Sequence, residues 1–148
     1  MTTDASSDGV RRLSMDEFAA VLEEVGSGTP RAAALVGHAL LETVLKRVLL
    51  SHMVPLDATR PMAARSHTAY ALGLISEDLR QDLTTISEIR NRFAHTAAPM
   101  TFDDVKVAEK CARLSGLEGV KDPRTRYNLA VGQLLARLLS VIGPGEKL

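Results

Sequence analysis

The chain has one cysteine, no tryptophan, three phenylalanines and two tyrosines in 148 residues. Cys111 has no second thiol to pair with, which excludes an intramolecular disulfide, and no zinc-type cysteine spacing exists. With aromatics at 3%, Leu, Ala, Val and Ile must fill the core. An excess of charge is missing too, since Lys plus Arg and Asp plus Glu are 18 each. Proteins that hold nucleic acid by general phosphate attraction carry surplus positive charge, so that class is not indicated. No apolar run reaches membrane-spanning length and no signal-peptide pattern opens the chain, so a cytoplasmic location without membrane contact is expected. His38, His52, His67 and His95 show no HxxxH or HExxH spacing, and neither a glycine-rich phosphate loop nor a GxSxG setting is present. No metal and no cofactor is therefore expected.

What the chain does have is 45% hydrophobic residues arranged at helical spacing. The pattern predicts an all-α, single-domain helical bundle of about six helices. Residues 1–13 are small and polar and read as a flexible tail, residues 14–142 as the helical domain, and residues 143–148 as a second tail. Ser14 and Glu17 form a capping box for a first helix that ends at Gly26-Ser27-Gly28. Thr29-Pro30 opens a second helix to about residue 51, with an apolar surface wide enough for a central helix or half of a dimer contact. A third helix is expected over residues 62–72, closed by Gly73. Ser76 then caps a fourth over residues 77–94. Thr101 with Asp104 reads as the cap of a fifth helix, and Asp122-Pro123 starts a sixth that Gly143-Pro144-Gly145 stops. Lys106, Lys110 and Arg113, and likewise Arg124 and Arg126, read as solvated faces, and Cys111 as a small core residue.

Chemistry concentrates in Ile89-Arg90-Asn91-Arg92-Phe93-Ala94-His95. Arg90 lies four after Ile86 and three before Phe93, on or beside the apolar stripe, where a guanidinium needs a partner. Asn91 and His95 share a neighbouring stripe, and Arg92 lies four after Glu88, at salt-bridge spacing. A cluster of Arg90, Asn91, Phe93 and His95 can bind a phosphate or a partner carboxylate. It can equally serve the fold, with Asn91 and His95 capping the helix and Arg90 paired with a core-edge carboxylate such as Glu42.

Three blocks of the sequence resemble the MltR family, named for the mannitol operon repressor. They are Arg31-Ala32-Ala33-Ala34-Leu35 leading to Leu41-Glu42; Ala69-Tyr70-Ala71-Leu72-Gly73-Leu74-Ile75-Ser76; and Ile89 to His95 followed by Thr101-Phe102-Asp103-Asp104. Their order and spacing match over about residues 29–117, some 60% of the chain. The resemblance implies an all-α regulatory protein and transcriptional repression. No helix-turn-helix signature or basic recognition helix is visible, so the expected route is a protein partner and not direct DNA readout, with the chain as a homodimer.

The third block also resembles the Arg-x4–6-His motif of HEPN-type helical domains, whose active members are dimeric, metal-independent endoribonucleases. Under that resemblance Arg90 would stabilise the phosphate transition state, His95 would act as general acid or base, and Asn91 would orient substrate, with RNA as the partner. On an unbroken helix, however, Arg90 and His95 point about 140° apart. The tyrosine often found two residues beyond the histidine is replaced by Ala97. The regulatory, non-enzymatic reading therefore leads, and the endoribonuclease is the alternative.

Overall fold

A computed structural model describes residues 13–57 and 60–143, so the first tail, apart from Leu13, and the second, apart from Gly143, lie outside the described residues. Among the described residues six helices follow one another: α1 (Met15–Ser27), α2 (Pro30–Ser51), α3 (Met62–Ala71), α4 (Glu77–Ala94), α5 (Val105–Ala112) and α6 (Pro123–Ser140). The fold is an all-α bundle, as the periodicity predicts. Among the described residues no helix is long and apolar enough to cross a membrane.

The helix starts follow from local chemistry. The Ser14 hydroxyl accepts from the Glu17 amide while the Glu17 carboxylate accepts from the Ser14 amide, so two orphan donors are satisfied reciprocally. Thr29, Ser76 and Asp122 cap α2, α4 and α6 with their side-chain oxygens. The fifth cap differs from expectation. Asp104 itself is the N-cap, accepting from the Val107 amide, and α5 starts three residues later than a Thr101 cap would place it. Thr101 instead accepts from the Asp103 amide in a local turn, which threonine hydroxyls favour.

α2 is the central element, packed against α1, α3, α4 and α6. Ala33, Ala34, Leu41, Val44, Leu45 and Val48 are all fully buried along it, so its wide apolar surface is consumed inside the chain. Each large aliphatic side chain so buried contributes about 1.5–3 kcal/mol. Three of the five aromatics stack in one column: Phe93 of α4, Phe102 of the α4–α5 connection and Tyr127 of α6, with successive ring centroids 5.0 Å apart. The C-terminal ends of α2 and α6 are tied together. Gly143 is buried and donates its amide to the Ser51 hydroxyl at 2.7 Å, and the His52 ring donates to the Val141 carbonyl at 2.8 Å.

Candidate functional site

The four residues singled out in the Ile89–His95 block are placed by α4 and by its final turn. α4 is continuous from Glu77 to Ala94, and His95 is its C-cap, with its backbone amide donating to the Asn91 carbonyl. Phe93 is fully buried against Phe102, because it shares the face of Leu79, Leu83 and Ile86. It supports the segment from below and presents no surface to a ligand, which corrects its expected place among the binding residues. Asn91 and His95 are exposed, and Arg90 is half-buried at the helix surface. Because α4 does not unwind before Ala94, Arg90 and His95 project about 140° apart within one copy of the chain.

The expected partners of this block are rearranged. Glu42 pairs with Lys46 at 3.2 Å and lies 3.7 Å from Arg65 and 3.8 Å from the His38 ring, in place of Arg90. Arg90 donates to the amide oxygen of its neighbour Asn91 at 3.2 Å. Arg92 does not meet Glu88. It forms a two-pronged pair with Asp104, 3.3 and 3.2 Å, while Glu88 takes Lys110 at 2.8 Å and Arg113 at 3.5 Å. The reason is geometric: the chain returning through α5 brings fixed partners to both groups, and these replace a weak contact within one helix. Lys110 and Arg113 are therefore engaged, and not simply solvated.

Sequence reasoning missed the residues that fix this region. Arg31, at the start of α2, donates to the Thr96 carbonyl at 2.6 Å and to the Ala98 carbonyl at 3.1 Å, so it holds the segment just after His95. The Thr96 hydroxyl turns back to the Arg92 carbonyl at 2.7 Å. Arg124 donates to the carbonyls of Val25, Gly26 and Gly28 and stands 5.9 Å over the Phe102 ring. Arg126 donates to the carbonyls of Cys111, Ala112, Leu114, Leu117 and Val120. Arg124 and Arg126 were expected to be solvated; both are half-buried backbone clamps. Arg31 stands in the first block of the MltR-like pattern, which was the available signal for it.

Electrostatics mark one further residue, His38. Its side chain is 14% exposed on α2, beside Glu42. Burial lowers its pKa below the ordinary value, Glu42 opposes that shift, and the positive charge of Arg90 adds to it. Cys111 is buried and its thiol is pushed up to about 12 by burial, so it stays protonated and unreactive. In the first turn of α4, Arg80 holds the Glu77 carboxylate and drives its pKa down to about 2. The same Arg80 guanidinium lies 5.7 Å over the exposed Tyr70 ring. Among the described residues no group of three or more His, Cys, Asp or Glu is placed to hold a metal ion.

No family model matches the chain, and no curated protein matches it either. Its fold is similar to that of a chain in the X-ray structure of the MtlR–HPr complex from Escherichia coli, with a TM-score of 0.69. The match covers 81% of this chain and 96% of that one at 15% identity, so the likeness is one of fold.

Proposed function

We propose that this chain is an MltR-like regulatory protein that acts through a protein partner and affects transcription without reading DNA itself. The observation that carries the proposal is the fold likeness to a chain solved in the MtlR–HPr complex, which extends over nearly all of that chain. Two features of this chain support the same reading. Asn91 and His95 are exposed side by side on a firmly anchored helix end, the kind of rigid polar surface a partner can use. The basic residues that would make a nucleic-acid surface are largely committed elsewhere: Arg124 and Arg126 to backbone carbonyls, Arg92 to Asp104, and Lys110 and Arg113 to Glu88.

HPr from the organism that encodes the chain is the first partner to test. Mixed with the purified chain and run on size exclusion with light scattering, it is expected to co-elute as a heteromeric complex. The chain alone is expected to leave duplex DNA unshifted in an electrophoretic assay at physiological salt. Its own mass in the same experiment tests the proposed homodimer. Tight, specific DNA binding by the isolated chain together with no complex would overturn the proposal.

A further inference from the structure

The connection between α2 and α3 walls off a cleft. α2 ends where the Val54 amide reaches back to the Leu49 carbonyl and the Met53 amide to the Leu50 carbonyl, with Met53 in the left-handed region at φ 63°. That turn, with Pro55 just beyond it, brings residues 54–57 back alongside Leu49 and opposite α3. The half-open cleft so formed has a volume of about 280 Å³. Leu49, Val54, Pro55 and Leu56 give it apolar walls, and Ala64 and Arg65 of α3 close the other side. Asp57 and Arg60, an exposed ion pair 3.7 Å apart, flank the mouth.

Arg65 is only 6% exposed, yet its guanidinium is incompletely used. One Nη donates to the Asp57 carbonyl at 2.7 Å, and the other stands 3.7 Å from Glu42, beyond hydrogen-bond reach. Its Nε–H is buried with no acceptor among the described residues. In Arg80 and Arg92 the same edge of the guanidinium holds both oxygens of a carboxylate, from Glu77 and from Asp104. Arg31 and Arg124 also have an unpaired Nε, but each clamps two or more backbone carbonyls and neither lines this cleft.

We propose that the cleft between the α2–α3 connection and α3 binds a small monocarboxylate with a short aliphatic body, whose carboxylate pairs with Arg65. The planar fork of the guanidinium matches a carboxylate, and the unpaired Nε–H is the donor that gains an acceptor on binding. The apolar walls receive the hydrocarbon body. A space of about 280 Å³ lies just under the ~300–1,000 Å³ of pockets for drug-sized ligands, which sets the ligand at about four to six carbons. Glu42 and Asp57, close to the guanidinium, select against a second negative charge, so phosphate and dicarboxylates are disfavoured. Glu42 keeps a partner when Arg65 turns to the ligand, because Lys46 holds it at 3.2 Å. No residue of α4 lines the cleft, so the site stands independently of the protein-partner reading.

The test is an NMR titration of the isotopically labelled full chain with sodium propanoate, butanoate, pentanoate and hexanoate, following the Arg65 Nε–H and the Leu56 and Ala64 amides. 1-Butanol and inorganic phosphate, at equal ionic strength, are the controls. The carboxylates are expected to give saturating shifts at these positions, with affinity rising about fourfold per added methylene until the cleft is full and level thereafter. Neither control is expected to saturate. Ala64→Leu, which fills the cleft from α3, should weaken pentanoate at least tenfold while the circular dichroism spectrum stays unchanged. Arg65→Gln should remove the preference for pentanoate over 1-butanol. Since Arg65 also braces the Asp57 carbonyl, Ala64→Leu decides alone if Arg65→Gln does not fold. Binding of 1-butanol as tight as that of butanoate would overturn the proposal, as would tighter binding of phosphate, an absence of saturation with every carboxylate, or pentanoate binding untouched by Ala64→Leu.

Discussion

The Tyr127 hydroxyl donates a 2.8 Å hydrogen bond to the Ala34 carbonyl across a helix wall that Gly37 leaves open. A Cβ at position 37 would stand 2.6 Å from that hydroxyl oxygen and 3.2 Å from the ring. Glycine is needed here for close approach and not for backbone freedom. The contact fixes α6 to α2 and carries the aromatic column up to Phe93, directly beneath the exposed block of α4.

Gly37→Ala is accordingly expected to destabilise the fold by about 1–3 kcal/mol, despite the better helix propensity of alanine. Combining it with Tyr127→Phe removes the closest clashing atom, so the double variant should be more stable than the sum of the single losses predicts. Urea unfolding of the four proteins measures this. A neutral or stabilising Gly37→Ala would show that the wall yields at no cost.

Arg126 closes the end of α5 and the following connection by binding five backbone carbonyls. Arg126→Met keeps much of the stem but strands those acceptors, with an expected loss of about 3 kcal/mol. Arg126→Lys should recover only part of it, since an ammonium cannot span the set. Hydrogen exchange should rise first over residues 111–121. A uniform rise over all helices would place the clamp's effect elsewhere.

Stability should fall with acid in two separable stages. His38 has a folded pKa below its ordinary 6.5, so the unfolded chain binds that proton more readily. Its contribution is complete above pH 6.5 and is lost as pH falls below that value. Glu77, lowered from 4.5 to about 2 chiefly by Arg80, contributes above 4.5 and is lost between 4.5 and about 2. Asp104, lowered chiefly by Arg92, joins that second stage. In melting temperature against pH, His38→Gln should flatten the first decline alone and Glu77→Gln part of the second. A His38→Gln profile parallel to wild type at every pH would refute the assignment.

The parts of this fold legible in the sequence are those set by neighbours a few residues apart. Ser14 with Glu17, Thr29 with Pro30, Ser76, and Asp122 with Pro123 mark helix starts because the cap and the amide it satisfies lie within one turn. Apolar spacing likewise placed Phe93 on the buried face, though its proximity to Arg90 and His95 drew it into the expected binding set. What escaped depends on chain return. Arg31 reaches Thr96, Arg124 reaches Gly28, and Arg92 leaves Glu88 for Asp104, which no periodicity encodes. Thr101 and Asp104 are both good caps, and only the Val107 amide decides between them.

The exposed end of α4 is proposed to meet a protein and not to cleave RNA. Isothermal titration of HPr from the same organism into the wild-type chain and into His95→Ala tests it most directly, beside an RNA-cleavage assay with EDTA present. Saturable binding is expected for the wild type, binding weakened about tenfold or more for His95→Ala, in line with loss of a central interface side chain, and no cleavage by either. No heat of binding, together with EDTA-resistant cleavage that disappears in a folded His95→Ala, would contradict it and assign Arg90 and His95 to catalysis.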